Sequence, residues 1–287
     1  MTQELTKEIE EIIKSQNLNC SVKQFQDKVD WNYISMYQKL SEQFIEQFKE
    51  KVDWIYISKH QKLSEQFIEQ FQDKVDWIYI SMYQKLSEQF IEQFQDKVDW
   101  NYISQYQKLS EQFIEQFKEK VDWNYISQYQ KLSEQFIEQF QDKVNWYSIS
   151  QYQKLSEQFI ESNNLTKPIN NWNYVTKEEK LHSIKECGLY EIDGDYIIAY
   201  KSTRENGYSV YNYQYQYEVN KEYESHCDAN LNNENSFGLS AWTRDKALEY
   251  HSNGDLFKVK IHLDNVLALV HDHYKLRCDK IFVVEKV

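Results

Sequence analysis

Glycine and proline are scarce in this chain, and their positions divide it into two unlike parts. The 287 residues contain five glycines and one proline, and no glycine precedes Gly188. The proline, Pro168, lies in a polar stretch over residues 163–171 that has the composition of an interdomain linker. The sequence therefore predicts a domain boundary near residues 160–175.

Long apolar runs and an excess of basic residues are also missing. No stretch of about 18 apolar residues occurs, and the first residues lack the basic and apolar regions of a secretory signal, so we expect no membrane contact. There are 33 basic and 46 acidic residues, a net charge of -13, which argues against nucleic-acid binding because phosphates attract basic side chains. Four cysteines without a signal indicate reduced thiols and a cytoplasmic protein.

The N-terminal half of the chain consists of a repeated unit of 23 residues. The unit that begins at Leu86 reads LSEQFIEQFQDKVDWNYISQYQK, and neighbouring units are nearly identical to it. One tryptophan recurs in each unit, at Trp31, Trp54, Trp77, Trp100, Trp123 and Trp146. Repetition with this period is typical of solenoid proteins.

Each unit has the pattern of two short helices. Apolar residues follow one another at helical steps, Ser64 is placed to cap a first helix, and Asp76 is placed to cap a second. Such short helices are marginal in isolation, so the units must stabilise one another by stacking. We predict that the Trp, Phe and Tyr positions, with the six tryptophans among them, form a continuous core.

The predicted fold is an α-helical solenoid of short helix pairs followed by a small α+β domain. Residues 1–21 form an N-terminal helical cap, residues 22–165 the repeat array, and residues 166–287 the α+β domain. In the cap, three isoleucines are expected to face the first unit: Ile9, Ile12 and Ile13.

The C-terminal part alternates helix, turn and strand signals. Thr176 and Glu179 form a capping box that predicts a helix ending at Gly188, and Asp193 with Gly194 predicts a hairpin turn. Thr243 is placed to cap a second, short helix. Strands are predicted over residues 196–203, 213–219, 256–261, 266–270 and 281–285.

Both parts resemble known sequences. The LSEQFIEQFQDKVDW-type units resemble repeat proteins of mimivirus-like giant DNA viruses of amoebae. The C-terminal part resembles an uncharacterised domain of the same viruses, also found in bacteria and phages, at residues 195–201, 217–219, 238–243 and 275–278. The resemblance implies a viral origin and a place in the host cytoplasm, and it implies no established activity.

A ligand pocket is one hypothesis for the C-terminal domain. The order of residues is similar to that of ADP-ribosyltransferases. Lys201 stands where that family has an Arg or His, and Ser240 is the first residue of the stretch that stands where the family has Ser-Thr-Ser. The catalytic Glu of that family is missing before the last strand. The candidate pocket therefore consists of Lys201, Arg204, Ser240, Trp242 and Tyr250, and the alternative is a filled structural sheet.

Metal and catalytic signals are incomplete elsewhere. Residues 226–228 (His-Cys-Asp) and 271–273 (His-Asp-His) lack a second set of ligands at metal-binding spacing. Residues 228–234 imitate an EF-hand loop but have Asn233 and Leu239 where Gly and Glu are required. We predict no catalytic residue, metal or cofactor. Alternating tyrosines, at Tyr211, Tyr213, Tyr215 and Tyr217, form either a protein-binding face or a covered sheet face.

These observations favour a non-enzymatic scaffold or adaptor. In this hypothesis the repeat array binds a protein partner, either from the host or from the virus. Two alternatives stay open at this point: an ADP-ribosyltransferase-like or nucleotide-binding C-terminal domain, and repeats that act only as spacers.

Overall fold

The computed structural model describes residues 2–167, 170–210 and 215–287. One compact unit is Met1–Ile103 and a second is Ser104–Val287. Within the described residues the α-helices are α1 (Gln3–Ser15), α2 (Trp31–Tyr37), α3 (Glu42–Gln47), α4 (Trp54–His60), α5 (Glu65–Gln70), α6 (Trp77–Tyr83), α7 (Glu88–Gln93), α8 (Trp100–Tyr106), α9 (Glu111–Gln116), α10 (Trp123–Tyr129), α11 (Glu134–Gln139), α12 (Trp146–Tyr152), α13 (Glu157–Ser162), α14 (Lys177–Cys187) and α15 (Arg244–Tyr250).

The repeats are helix pairs, as predicted, and their caps are the predicted residues. The Ser64 hydroxyl accepts a hydrogen bond from the backbone N–H of Phe67 at the start of α5. The Asp76 carboxylate accepts from the backbone N–H groups of Ile78 and Tyr79 at the start of α6. Each cap satisfies amide groups that have no partner inside the helix, so the polar residues of the repeat define where its helices begin.

Isoleucine and phenylalanine, more than tryptophan, fill the interior of the repeats. Ile57 and Ile68 have no exposed surface, whereas Trp54 is only half-buried. The Trp54 ring lies 5.1 Å from the Phe71 ring, and its indole N–H donates to the carbonyl of Lys49. The same half-burial holds for the tryptophans expected in the repeat core, Trp31, Trp54, Trp77, Trp100, Trp123 and Trp146. The tryptophans thus cover the edge of an aliphatic and phenylalanine core.

A buried glutamine joins repeat units to the ones before them within each of the two compact units. Gln84 Nε2 donates to the carbonyls of Ser58 and Gln61, each at 2.8 Å, and its Oε1 accepts from the N–H of Leu63. These groups lie at the end of α4, where backbone carbonyls lack helical partners. Gln61, Gln130 and Gln153 bond to their preceding units in the same way. The glutamines therefore fix the register of adjacent units.

Serine hydroxyls and surface ion pairs also join adjacent repeat units. The Ser58 hydroxyl donates to the carbonyl of Trp54 and accepts from the N–H of Asp76 in the next unit. On the exposed side, Lys74 pairs with Glu50 at 3.0 Å. The helices that begin at the tryptophan of each repeat unit consequently pack side by side, α2 with α4, α4 with α6, and α10 with α12.

The C-terminal part contains an antiparallel sheet. The strands within the described residues are β1 (Glu191–Asp193), β2 (Tyr196–Ser202), β3 (Glu222–Glu224), β4 (Leu239–Trp242), β5 (Leu256–His262), β6 (Val266–Val270), β7 (Lys275–Cys278) and β8 (Lys280–Lys286). Their order in the sheet is β3-β8-β5-β2-β4-β7-β6, and β1 pairs with β2. The predicted hairpin is confirmed, since Asp193 pairs with Tyr196 and Gly194 has φ +58°.

One face of this sheet carries the apolar core. Ala199, Val259 and Leu276 point into it together with Ile184 from α14 and the ring of Trp172. Helix α14 begins at the predicted capping box and ends at Gly188 in the left-handed region. Helix α15 packs on β2 and β4. Thr243 precedes α15, but contrary to prediction its side chain makes no capping hydrogen bond.

The strand predicted over residues 213–219 is not formed in its described portion. Tyr211 and Tyr213 lie outside the described residues, and residues 215–219 contain a single bridge, between Tyr208 and Gln216. The rings of Tyr215 and Tyr217 do lie on one side, 6.3 Å apart and stacked. Alternation therefore identified the common face, whereas the described residues 215–219 pair with residues 207–209 through one bridge and the backbone hydrogen bonds beside it.

Candidate functional site

The candidate pocket residue Lys201 is buried in the apolar core of the sheet. Its side chain is 8% exposed, and Nζ donates to the carbonyl of Ser240 at 2.8 Å. The ammonium also lies 4.8 Å from the centre of the Tyr217 ring, a cation–π contact. Burial lowers the pKa of Lys201 to about 8. The polar contacts of this amine are thus within the protein core.

Trp242 and Tyr250 lie on the other face of the sheet from Lys201. Tyr200 is directly paired with Trp242, so the neighbouring residue Lys201 projects to the opposite side. The Trp242 ring is 5.0 Å from Tyr250 and 5.2 Å from His271. Arg204 follows β2 and donates from Nη2 to the carbonyl of Val210. The structure therefore brings Trp242 and Tyr250 together but separates them from Lys201.

The loop that imitates an EF-hand is held by a buried ion pair. Asp228 and Arg277 are fully buried, with Oδ2 and Nη1 3.8 Å apart. Asp228 accepts from the N–H of Asn230 and the side-chain amide of Asn233, and Arg277 donates to both of their carbonyls. The carboxylate oxygens are thus engaged by the loop itself. Within the described residues no group of three or more His, Cys, Asp or Glu side chains is arranged to hold a metal ion.

The segment that follows this loop places Phe237 against the surface of the repeats. The Phe237 ring lies 4.7 Å from the ring of Tyr129 and 5.4 Å from the ring of Tyr152. We call these two tyrosines the aromatic seat. They occupy the same position of consecutive units, 23 residues apart, on α10 and α12. Gly238 has φ +122°, and a Cβ there would come within 2.5 Å of the Cys227 sulfur, so only glycine fits beside Phe237.

Charged groups of the repeats and of the C-terminal domain also meet within residues 104–287. Lys108 of the repeats lies 3.7 Å from Glu224 of the C-terminal domain. Burial raises the pKa of Asp279, and the charge of Lys131, one unit after Lys108, only partly opposes this rise. His226 packs 5.4 Å from Phe237, and its burial, with the charge of Lys131, lowers its pKa to about 4. The repeats thus contribute tyrosine and lysine, and the opposing surface contributes an aromatic ring and carboxylates.

The corresponding helices of residues 2–103 expose aromatic and apolar side chains, with His60 at the seat position between Tyr37 and Tyr83. Tyr37 stands at the position of the seat tyrosines and is 63% exposed, and Ile55 and Ile78 are about half exposed. The Lys59 ammonium lies 5.5 Å from the Tyr79 ring and joins α4 to α6. We call this surface of α2, α4 and α6 the tyrosine face; it comprises Tyr33, Tyr37, Ile55, Tyr56, Ile78 and Tyr79.

Sequence reasoning did not identify the aromatic seat. It emphasised the tyrosines of residues 211–217, whereas the signal for the seat was the tyrosine that recurs every 23 residues, as at Tyr83, Tyr129 and Tyr152. Phe237 carried no sequence signal at all, because its partners are more than 80 residues away along the chain.

The chain matches no family model, no curated protein and no solved structure. In the ranges that the structure describes, no helix combines the length and apolar character needed to cross a membrane. A functional assignment therefore rests on the surfaces described above.

Proposed function

We propose that this protein is a non-enzymatic scaffold or adaptor whose repeat array binds another protein. The tyrosine face is the observation that carries the proposal. Tyr33, Tyr37, Ile55 and Ile78 are each between 46% and 63% exposed and lie on neighbouring helices. Contiguous exposed apolar and aromatic side chains are typical of interaction sites, and tyrosine is enriched at the energetic centres of protein interfaces.

The aromatic seat supports this proposal from within the same chain. There, Tyr129 and Tyr152 pack against Phe237, which belongs to the C-terminal domain and not to the repeats. The repeat surface is therefore capable of binding a protein segment through its recurring tyrosine position.

The hydrogen bonds between units would give such a surface rigidity. Gln84 in one compact unit and Gln130 in the other satisfy the same backbone groups of their preceding units. Side chains held in place before binding lose less conformational entropy when a partner arrives. We propose that the units continue in this manner as an α-solenoid, which would make the array a preorganised docking surface and not a spacer.

Removal of the exposed isoleucines tests the function. Ile55→Asn with Ile78→Asn introduces the residue that other units already carry, at Asn32, Asn101 and Asn124, so the repeat fold should be retained. Quantitative affinity capture with the full chain should recover a partner that the double variant fails to retain. Equal recovery by both proteins, with unchanged helical circular dichroism, would contradict the proposal.

The spacer alternative has a different signature. Deletion of one whole unit, residues 63–85, would leave binding unchanged if the repeats only set a distance. Binding through the tyrosine face should instead weaken, because this segment contains Ile78 and Tyr79. The viral origin and host location remain a proposal that rests on the sequence resemblance.

A further inference from the structure

We infer that the tyrosine face of residues 2–103 binds an acidic protein segment that carries an aromatic side chain. This inference rests on the proposed function and adds the chemical class of the partner. Its basis is the equivalence of units: the repeat is nearly identical from one unit to the next, and one of its recurring tyrosine positions is seen with an aromatic ring packed against it, at Tyr129 and Tyr152.

The aromatic part of the inference follows from Phe237. Its ring lies beside Tyr129 and Tyr152 of consecutive units, and the same position of the repeat is held by Tyr37, His60 and Tyr83 in residues 2–103. There the aromatic residues are paired within each helix, Tyr33 with Tyr37 at 4.9 Å, Tyr56 with His60 at 6.0 Å and Tyr79 with Tyr83 at 6.0 Å. Rings at these separations offer edges and faces to a further aromatic side chain.

The acidic part of the inference follows from the repeated lysine. Lys39 and Lys85 are exposed and are equivalent to Lys108 and Lys131. In residues 104–287, Lys108 of the repeats lies 3.7 Å from Glu224 of the C-terminal domain, and the charge of Lys131 opposes the rise that burial causes in the pKa of Asp279. The same lysine recurs at Lys39, Lys62 and Lys85, so a segment bound at an equivalent place would meet lysines one unit apart, as at Lys108 and Lys131, and carboxylates would complement them.

One substitution makes the tyrosine face more basic than the rest of the array. Lys59 stands where other units have methionine or glutamine, as at Met82, Gln105 and Gln128. Its ammonium lies 5.5 Å from the Tyr79 ring and 5.8 Å from the Tyr83 ring, so it adds positive charge at the centre of the aromatic surface. A basic partner would be repelled at this point, and an acidic one attracted.

Selection from a random peptide display library against the immobilised full chain tests this inference. Enrichment of peptides that combine Asp or Glu with Phe, Tyr or Trp, and that fail to bind the Ile55→Asn, Ile78→Asn variant, is the expected result. Enrichment of basic or purely aliphatic peptides on the same face would overturn the inference and leave the scaffold function standing. Failure to enrich any peptide that distinguishes the variant would overturn both.

A defined probe gives the quantitative test. A fluorescent peptide with the sequence of residues 222–240 contains both Glu224 and Phe237, and its binding to the full chain is measured by fluorescence anisotropy. Replacing its Phe by Ala should weaken binding to the tyrosine face by about tenfold, the effect of one aromatic contact. The chain variant Lys39→Glu with Lys85→Glu should weaken binding of the unmodified peptide and lower its salt dependence. Unchanged affinity in either comparison would overturn the inference.

Discussion

The rings of Phe237 and Tyr129 lie 4.7 Å apart at an angle of 57°, which ties the C-terminal domain to a helix of the repeats. A tilted pair at this distance stabilises the fold beyond the burial of its area. Phe237 and Tyr129 are distant in sequence, so the contact fixes the position of a whole loop.

A double-mutant cycle should detect this contact. We expect Phe237→Ala and Tyr129→Ala each to lower the free energy of unfolding by about 1–3 kcal/mol, with a coupling of about 1 kcal/mol between them. Urea unfolding of the four proteins measures both quantities. Tyr147→Ala, at a repeat position that is 72% exposed, serves as the control and should change stability by less than about 0.5 kcal/mol. Strict additivity of the two substitutions would contradict a direct contact.

His226 should make the folded state sensitive to mild acid. Its pKa is about 4 in the folded protein, below the ordinary 6.5, so the unfolded chain binds this proton first as the pH falls. Stability from neutral His226 is complete above pH 6.5 and is lost as the pH falls through 4. Between about pH 7.5 and 4.5 the wild type should lose about 2 kcal/mol more than His226→Gln. Urea unfolding measures the free energy of unfolding of both proteins at each pH. An equal change in the two proteins over this pH range would show the prediction to be wrong.

Lys201 should make the free energy of unfolding depend on pH in the alkaline range. Its folded pKa of about 8 lies below the ordinary 10.5, so the unfolded chain binds more protons between these values and stability rises with pH. Relative to Lys201→Met, the wild type should gain about 2 kcal/mol between about pH 7.5 and 10. Ionisation of tyrosines and cysteines is common to both proteins and cancels in the difference. A stability difference that does not vary with pH would show that the amine is accessible to water.

Gln130 should be among the most sensitive polar residues of the repeats. Its side chain donates to the carbonyls of Ser104 and Gln107 and accepts from the N–H of Leu109, and it is 4% exposed. Gln130→Ala leaves three buried backbone groups without this partner and should cost about 3 kcal/mol or more. Gln139→Ala provides the matched control, since its side chain is exposed and donates to the exposed Glu115; it should cost less than about 0.5 kcal/mol. Equal thermal shifts for the two variants would contradict the role of the buried glutamine.

Local structure could be predicted from the sequence where neighbouring residues decide it. Ser64 and Asp76 accept backbone hydrogen bonds within three residues, and Thr176 and Glu179 cap each other, so these helix starts need no tertiary contact. The hairpin at Gly194 is equally local, because glycine adopts the left-handed backbone conformation of this turn without steric cost.

The candidate pocket depends on a strand register that local reasoning does not decide. Lys201 and Trp242 are near each other in the sheet, but a pairing of Tyr200 with Trp242 places their side chains on opposite faces. A register shifted by one residue would have placed them on the same face, and nothing in the alternation of residues distinguishes the two registers.

The amino-acid sequence by itself determined the repeat, its helix pairs and the local caps, because spacing and short-range hydrogen bonds define them. Only the tertiary structure decided that Gln130 is buried, that Lys201 lies in the core and that Phe237 rests on Tyr129 and Tyr152. Each of these depends on which distant residue lies opposite, since burial and contact arise from packing between elements, and similar glutamines and tyrosines elsewhere in the repeat remain exposed.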